Sequence, residues 1–179
     1  MLTILLAAQD CDSAWRHLLA EGEARAGFEC ASPSQLVRRL GKILGLPGDP
    51  AEAPARLAAL AQKLDVHDDG SRSYSASRRA DPFGVARFLL LLRDDLRLAG
   101  WDGRPLDGGA RLRDLGELEA LGSSLPPGLP DLVAALIGAL GESGSMPFPV
   151  EIRLASPAAA FPPLIRTLLG TLSGVGVEV

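Results

Sequence analysis

The sequence predicts an α/β fold: a parallel sheet with covering helices, and a helical insertion in the middle of the chain. Three observations predict it. Residues 1–48 alternate short apolar runs with helical periods in the order β-α-β-α, a pattern that favours a parallel sheet. Residues 146–179 repeat it as one β-α-β unit. Residues 49–145 carry helical periods alone, separated by Pro/Gly-rich turns.

Each element follows from its residues. Leu2–Leu6 (LTILL) is a short apolar run with a β-branched content suited to a buried strand. A helix is expected from Asp12, through Trp15, Leu18 and Leu19, to about Arg25, and Phe28–Ala31 is a second, short strand. Ser32-Pro33-Ser34-Gln35 then reads as a capping box with proline at the first helical position. Leu36, Val37, Leu40, Ile43 and Leu44 carry that helix to Gly45.

LPGDPAEA, Leu46 to Ala53, is a turn. A small helix with Leu57, Leu60, Ala61 and Leu64 on one face follows it. Asp65 to Arg79 is expected to be a polar surface arm. After it, Asp81 caps and Pro82 opens a helix that Gly100 closes in the left-handed region. Phe83, Val85, Phe88, Leu89, Leu90, Leu91, Leu92, Leu96 and Leu98 leave little of its circumference polar, which predicts burial on all sides. Leu112, Leu115, Leu118 and Leu121 mark an amphipathic helix, and Leu132 to Leu140 another, ended by Gly141.

PVEIRLA alternates as a strand, with Val150, Ile152 and Leu154 on one face and Glu151 and Arg153 on the other. Pro162 to Leu172 is a helix, and Val175, Val177 and Val179 resume a period of two, so a right-handed parallel crossover is expected. The sequence stops inside that last strand, which reads as the amino-terminal piece of a longer protein.

Composition narrows the function classes. The 179 residues are 47% hydrophobic but only 4% aromatic, so the core is mostly aliphatic. A formal charge of −4 argues against a freestanding nucleic-acid binder, though not against a local basic patch. Two cysteines, Cys11 and Cys30, make no disulfide framework and have no metal-ligand spacing, which points to a reduced, cytoplasmic setting. The opening MLTILLAAQD lacks a basic residue ahead of its apolar run and reads as a strand rather than a signal peptide. No apolar run approaches the ~20 residues that span a bilayer, so no membrane partner is expected.

The chemistry-bearing patterns are sparse. A phosphate-cradling GxxxxGK[ST] is missing after either early strand, where the chain reads AAQDCDS and ASPSQ. Gly41-Lys42 lies within a helix and precedes Ile43, and Gly174-Val175-Gly176 stands between a helix and a strand, the reverse of a dinucleotide fingerprint. His17 is a surface or boundary residue. His67 could join Asp68 and Asp69 around a metal, but a solvated turn is the plainer reading. Ser73, Ser75 and Ser77 lack a strand-to-helix elbow, and Glu117 and Glu119, two apart, do not share a helix face. No catalytic, cofactor or metal residue is assigned. Arg72, Tyr74, Arg78 and Arg79 form the one basic cluster with an aromatic, a composition that can hold phosphates and stack a base; the plainer reading is a solubilising arm, or arginines pairing with acids elsewhere in the fold.

Three segments, ASPSQLVRRLGKILGLPG, DDGSRSYSASRRADPFGVARFLLLLRDDLRLAGWDGRPL and VEIRLASPAAAFPPLIRTLLGTLSGVGVEV, together cover most of the chain. Their order resembles the amino-terminal region of AddB-like proteins of the PD-(D/E)XK nuclease family, relatives of RecB and UvrD type helicases. The resemblance implies a helicase/Rossmann-like three-layer fold. It also implies a role at the front of a longer DNA helicase–nuclease that processes DNA ends for recombinational repair. Such proteins combine a helicase-like front part, often without a working ATP site, with a nuclease domain near the carboxyl end that uses a divalent metal; ATP is the other cofactor the resemblance brings in. Neither motif set has a counterpart in these residues, so the segment is expected to lack a cofactor and to act as scaffold. Its implied partners are the remainder of its own polypeptide, DNA and a helicase subunit. The rival reading is a small protein-interaction module whose partner covers a sheet edge at Val175–Val179.

Overall fold

A computed structural model of the chain describes residues 2–8, 11, 16, 20, 28–105, 108–122, 125–147 and 149–179. The helix expected from Asp12 to Arg25, with His17, lies largely outside them. The chain is α/β, with a three-stranded sheet and seven α-helices among the described residues. It divides into two compact units, residues 1–49 with 131–179, and residues 50–130.

In the sheet unit, β1 (Leu2–Leu6) lies between β2 (Phe28–Ala31) and β3 (Val150–Leu154), parallel to both. A central strand of a parallel sheet has no solvent face, and Thr3, Ile4, Leu5 and Leu6 are all buried. Helix α1 (Pro33–Leu44) starts as expected: Ser32 Oγ accepts from Gln35 N, and Gln35 Oε1 accepts from Ser32 N at 2.7 Å. Gly45 ends it at φ 69°. Gly41 is buried because the 46–49 turn folds back on the helix; a methyl group there would stand 2.9 Å from Gly48 Cα.

Glu151 is buried opposite Thr3 in the register and accepts a bond from Thr3 Oγ1 at 2.8 Å. Two expectations in this unit are corrected. The helix at 132–140 does not end at Gly141. It spans Leu129–Ser143 (α6), and Gly144, at φ 66°, turns the chain. The second strand of the last β-α-β unit shrinks to one parallel bridge, Glu151 to Glu178, because α7 (Pro163–Gly174) runs on to Gly174 and Gly176 turns at φ 88°.

The second unit is helical throughout its regular structure: α2 (Ala53–His67), α3 (Ser75–Ala80), α4 (Pro82–Leu98) and α5 (Ala110–Ala120). The expected polar arm is therefore mostly helix. Its first residues complete α2, its last form α3, and only 68–74 are irregular. Asp81 caps α4 through Gly84 N, Pro82 opens it, and Gly100 follows it at φ 99°. Leu60, Leu64, Ala86, Leu89, Trp101, Leu115 and Leu118 form the core.

The expected all-round burial of α4 does not occur. It packs against α2 and α3 on one side, while Phe83, Phe88 and Leu91 are 68%, 51% and 57% exposed. Leu92 and Leu96 are partly buried against the core.

Candidate functional site

The polar residues of the second unit converge on the 68–74 segment. Asp114 and Glu117, three apart on α5, share a face and point at it. Asp114 accepts from Ser73 N at 2.8 Å and Ser73 Oγ at 2.5 Å, and pairs with Arg72 at 3.5 Å. Arg72 also pairs with Glu117 and, at 3.5 Å, with Asp69, and its Nε donates to His67 O. His67 closes α2 with Nδ1 2.6 Å from the Tyr74 hydroxyl and Nε2 3.3 Å from Glu117. Arg78 on α3 ties back to Asp65 and Asp68.

Charge and burial fix the protonation of this cluster. Burial first, then Asp68 and Asp114, push the Tyr74 hydroxyl up to about 12. It therefore stays protonated, within hydrogen-bond distance of His67 Nδ1, while His67 Nε2 faces Glu117. Burial opposes ionisation of Asp114, but the Ser73 and Arg72 bonds outweigh it and hold its carboxyl below the ordinary value. Bonds from Ser75, Gly70 and Arg78 do the same for Asp68. Among the described residues no buried side-chain nitrogen or oxygen lacks a partner. The cluster is a closed bridge between helices, with its one phenol protonated and so not poised as a nucleophile.

A second network lies deeper. Arg56 grips Asp94 through two bonds, 2.6 and 2.9 Å, and its Nε donates to Pro126 O. Gly128 makes room for that guanidinium, since a methyl group there would stand 2.4 Å from it. Arg93, buried on α4, pairs with Glu119 at 2.9 Å and Asp94 at 3.0 Å. The Lys63 ammonium donates to Leu118 O. Burial lowers its pKa, Glu119 opposes that, and Arg93 adds to it.

The residues singled out from sequence fall as follows. Arg72 and Arg78 are drawn into ion pairs and Arg79 is exposed. Tyr74 is buried with its hydroxyl on His67, which withdraws its ring from base stacking. His67 turns to Tyr74 and Glu117 rather than to Asp68 and Asp69, and no group of three metal-ligating side chains forms among the described residues. Ser73 and Ser75 donate to Asp114 and Asp68. Glu117 and Glu119 diverge, one to His67 and Arg72, the other to Arg93. Lys42 is an exposed residue of α1. After β1, Ala8 N donates to Ser156 Oγ at 3.2 Å.

Sequence reasoning missed Asp114 and Glu117 as partners of the arginines; their spacing of three on an amphipathic helix was the available signal. It also missed a groove of about 460 Å³ beside the cluster, whose lining includes Ser77, Asp81, Val85, Phe88, Leu89 and Arg111. The Arg111 guanidinium lies 5.9 Å over the Phe88 ring. No protein-family model and no curated protein matches the chain. No helix among the described residues is long and apolar enough to cross a membrane.

Proposed function

We propose that this chain is a catalytically incomplete, helicase-like amino-terminal domain of a DNA helicase–nuclease that acts in DNA end processing and recombinational repair. Its part is architectural. The reading rests on the resemblance of three sequence segments to AddB-like proteins, and the parallel α/β sheet is compatible with it. One observation carries the scaffold role: Arg56, Arg72, Arg78 and Arg93 each tie one segment of the helical unit to another through a carboxylate. Charges bound inward brace a platform rather than turn over a substrate. Of the sequence-nominated DNA contacts, Arg79 is the one left facing solvent. ATP and a divalent metal belong, on this reading, to other parts of the polypeptide.

The test is ATP- and Mg²⁺-dependent degradation of linear duplex DNA by the full-length polypeptide, with and without residues 1–179. Loss of degradation on deletion is expected, together with no ATP or DNA hydrolysis by residues 1–179 alone. An unchanged rate, or hydrolysis by the segment itself, overturns the reading.

A further inference from the structure

We propose that the exposed face of α4 is a docking surface for an acidic amphipathic helix of a partner protein. Phe83, Arg87 and Leu91 recur every four residues, and Phe88 lies beside them. The three apolar side chains are more than half exposed. At 3.6 residues per turn Leu91 lies between the other two, about 80° round the helix from Phe83 and about 60° from Phe88, so they line one broad side of α4 with Arg87 among them. From Phe83 to Leu91 the stripe runs about 12 Å. That is two helical turns, matched by apolar residues at i, i+4 and i+7 of a second helix. Next to it, the groove floored by Val85 and Leu89 is roomy enough for an aliphatic anchor.

Charge selects the occupant. Arg79, Arg87 and Arg111 are exposed around the first turns of α4. Asp81 is bonded to Gly84 N as the cap, and the other exposed acid of α4, Asp95, lies a turn beyond Leu91. The net local charge is therefore positive on a chain of formal charge −4. A second copy of this chain would bring arginines against arginines, which disfavours self-association. A nucleic acid would find two phenylalanines to stack on, but Val85, Leu89 and Leu91 offer bases no π-face. A helix with leucines on one side and glutamates flanking them satisfies both the apolar stripe and the arginine rim.

The experiment is fluorescence anisotropy of the chain with a labelled, helix-forming Leu/Glu peptide, a Leu/Lys peptide of the same apolar pattern, and oligo(dT). Binding of the Leu/Glu peptide alone is expected. F83S/L91S should weaken it by about tenfold or more, and R87E/R111E should weaken it while strengthening the Leu/Lys peptide. Both variants replace exposed residues, and circular dichroism checks their helicity. Equal affinity for both peptides, no binding of the Leu/Glu peptide, or insensitivity to both variants overturns the proposal. Oligo(dT) binding that is lost in the same variants assigns the face to nucleic acid and also overturns it. DNA degradation by the full-length polypeptide reads a separate property, so failure here leaves the repair reading intact.

Discussion

The sheet unit and the helical unit are held together by different physics. Around the sheet, the buried polar residues among those described are Thr3 and Glu151, which bond to each other across neighbouring strands. Apart from the buried Phe161, the rest of its core is aliphatic, with Ile4, Leu6, Leu36, Leu40, Ile152, Ile165 and Leu168 at 0–1% exposure. In the helical unit Arg56, Lys63, His67, Arg93 and Asp114 are all buried. Aliphatic burial is non-directional and indifferent to pH, whereas a buried charge tolerates loss of its partner poorly. The helical unit should therefore be both the more specific and the more fragile half.

The sharpest way to break that contrast is Arg93→Ala. Glu119 and Asp94 would then keep their charges beside the core with one cation removed. Breaking a buried pair in this way costs about 3–5 kcal/mol. Hydrogen exchange should show the loss in amides of residues 50–130, with those of β1 and β3 still protected. Equal loss of protection in both units would mean that they unfold as one and that the contrast has no thermodynamic meaning.

A smaller effect separates the units by pH. Tyr74 is raised in the folded state, from 10 to about 12, so its contribution is complete below pH 10 and is lost as pH rises through about 12. At two units this amounts to about 2–3 kcal/mol. Asp114 and Asp68 are depressed, so theirs is present above the ordinary carboxylate value and lost as pH falls through the lower folded values. Denaturation followed between pH 9 and 12 should show the helical unit weakening, and Tyr74→Phe should flatten that limb. A Tyr74→Phe profile as steep as the parent's would show that the phenol is not the titrating group.

Legibility from sequence follows the same division. Elements whose signal is local were readable: the capping box at Ser32, the Asp81-Pro82 entry to α4, Gly100, and the parallel strands around LTILL. What failed was what depends on a distant partner. Leucine content alone could not say that Phe83, Phe88 and Leu91 would be left outside, because that depends on which sides α2 and α3 cover. The 65–79 segment looked like a solvated arm because its charges were visible and Asp114 and Glu117, some 40 residues on, were not linked to them. The burial of Glu151 was not legible either, because its partner, Thr3, is 148 residues away.

The finest comparison is between the two helix entries. Ser32 has a reciprocal box: its hydroxyl accepts from Gln35 N while Gln35 returns a bond to Ser32 N. Asp81 has a single bond, 2.8 Å from Gly84 N, but brings a negative charge to a helix N-terminus. Loss of either cap to alanine costs about 1 kcal/mol. The difference lies in the response to salt. A hydroxyl cap is neutral, so Ser32→Ala should destabilise equally at low and high ionic strength. The exposed Asp81 carboxylate interacts partly through the dipole, which salt screens over about 10 Å at 0.1 M, so the penalty of Asp81→Ala should shrink as salt rises. Urea melts of the two variants at low and at molar salt measure this directly. A salt-independent penalty at Asp81 would leave the hydrogen bond to Gly84 as its whole contribution, and the two units would then differ in their interiors but not in how their helices begin.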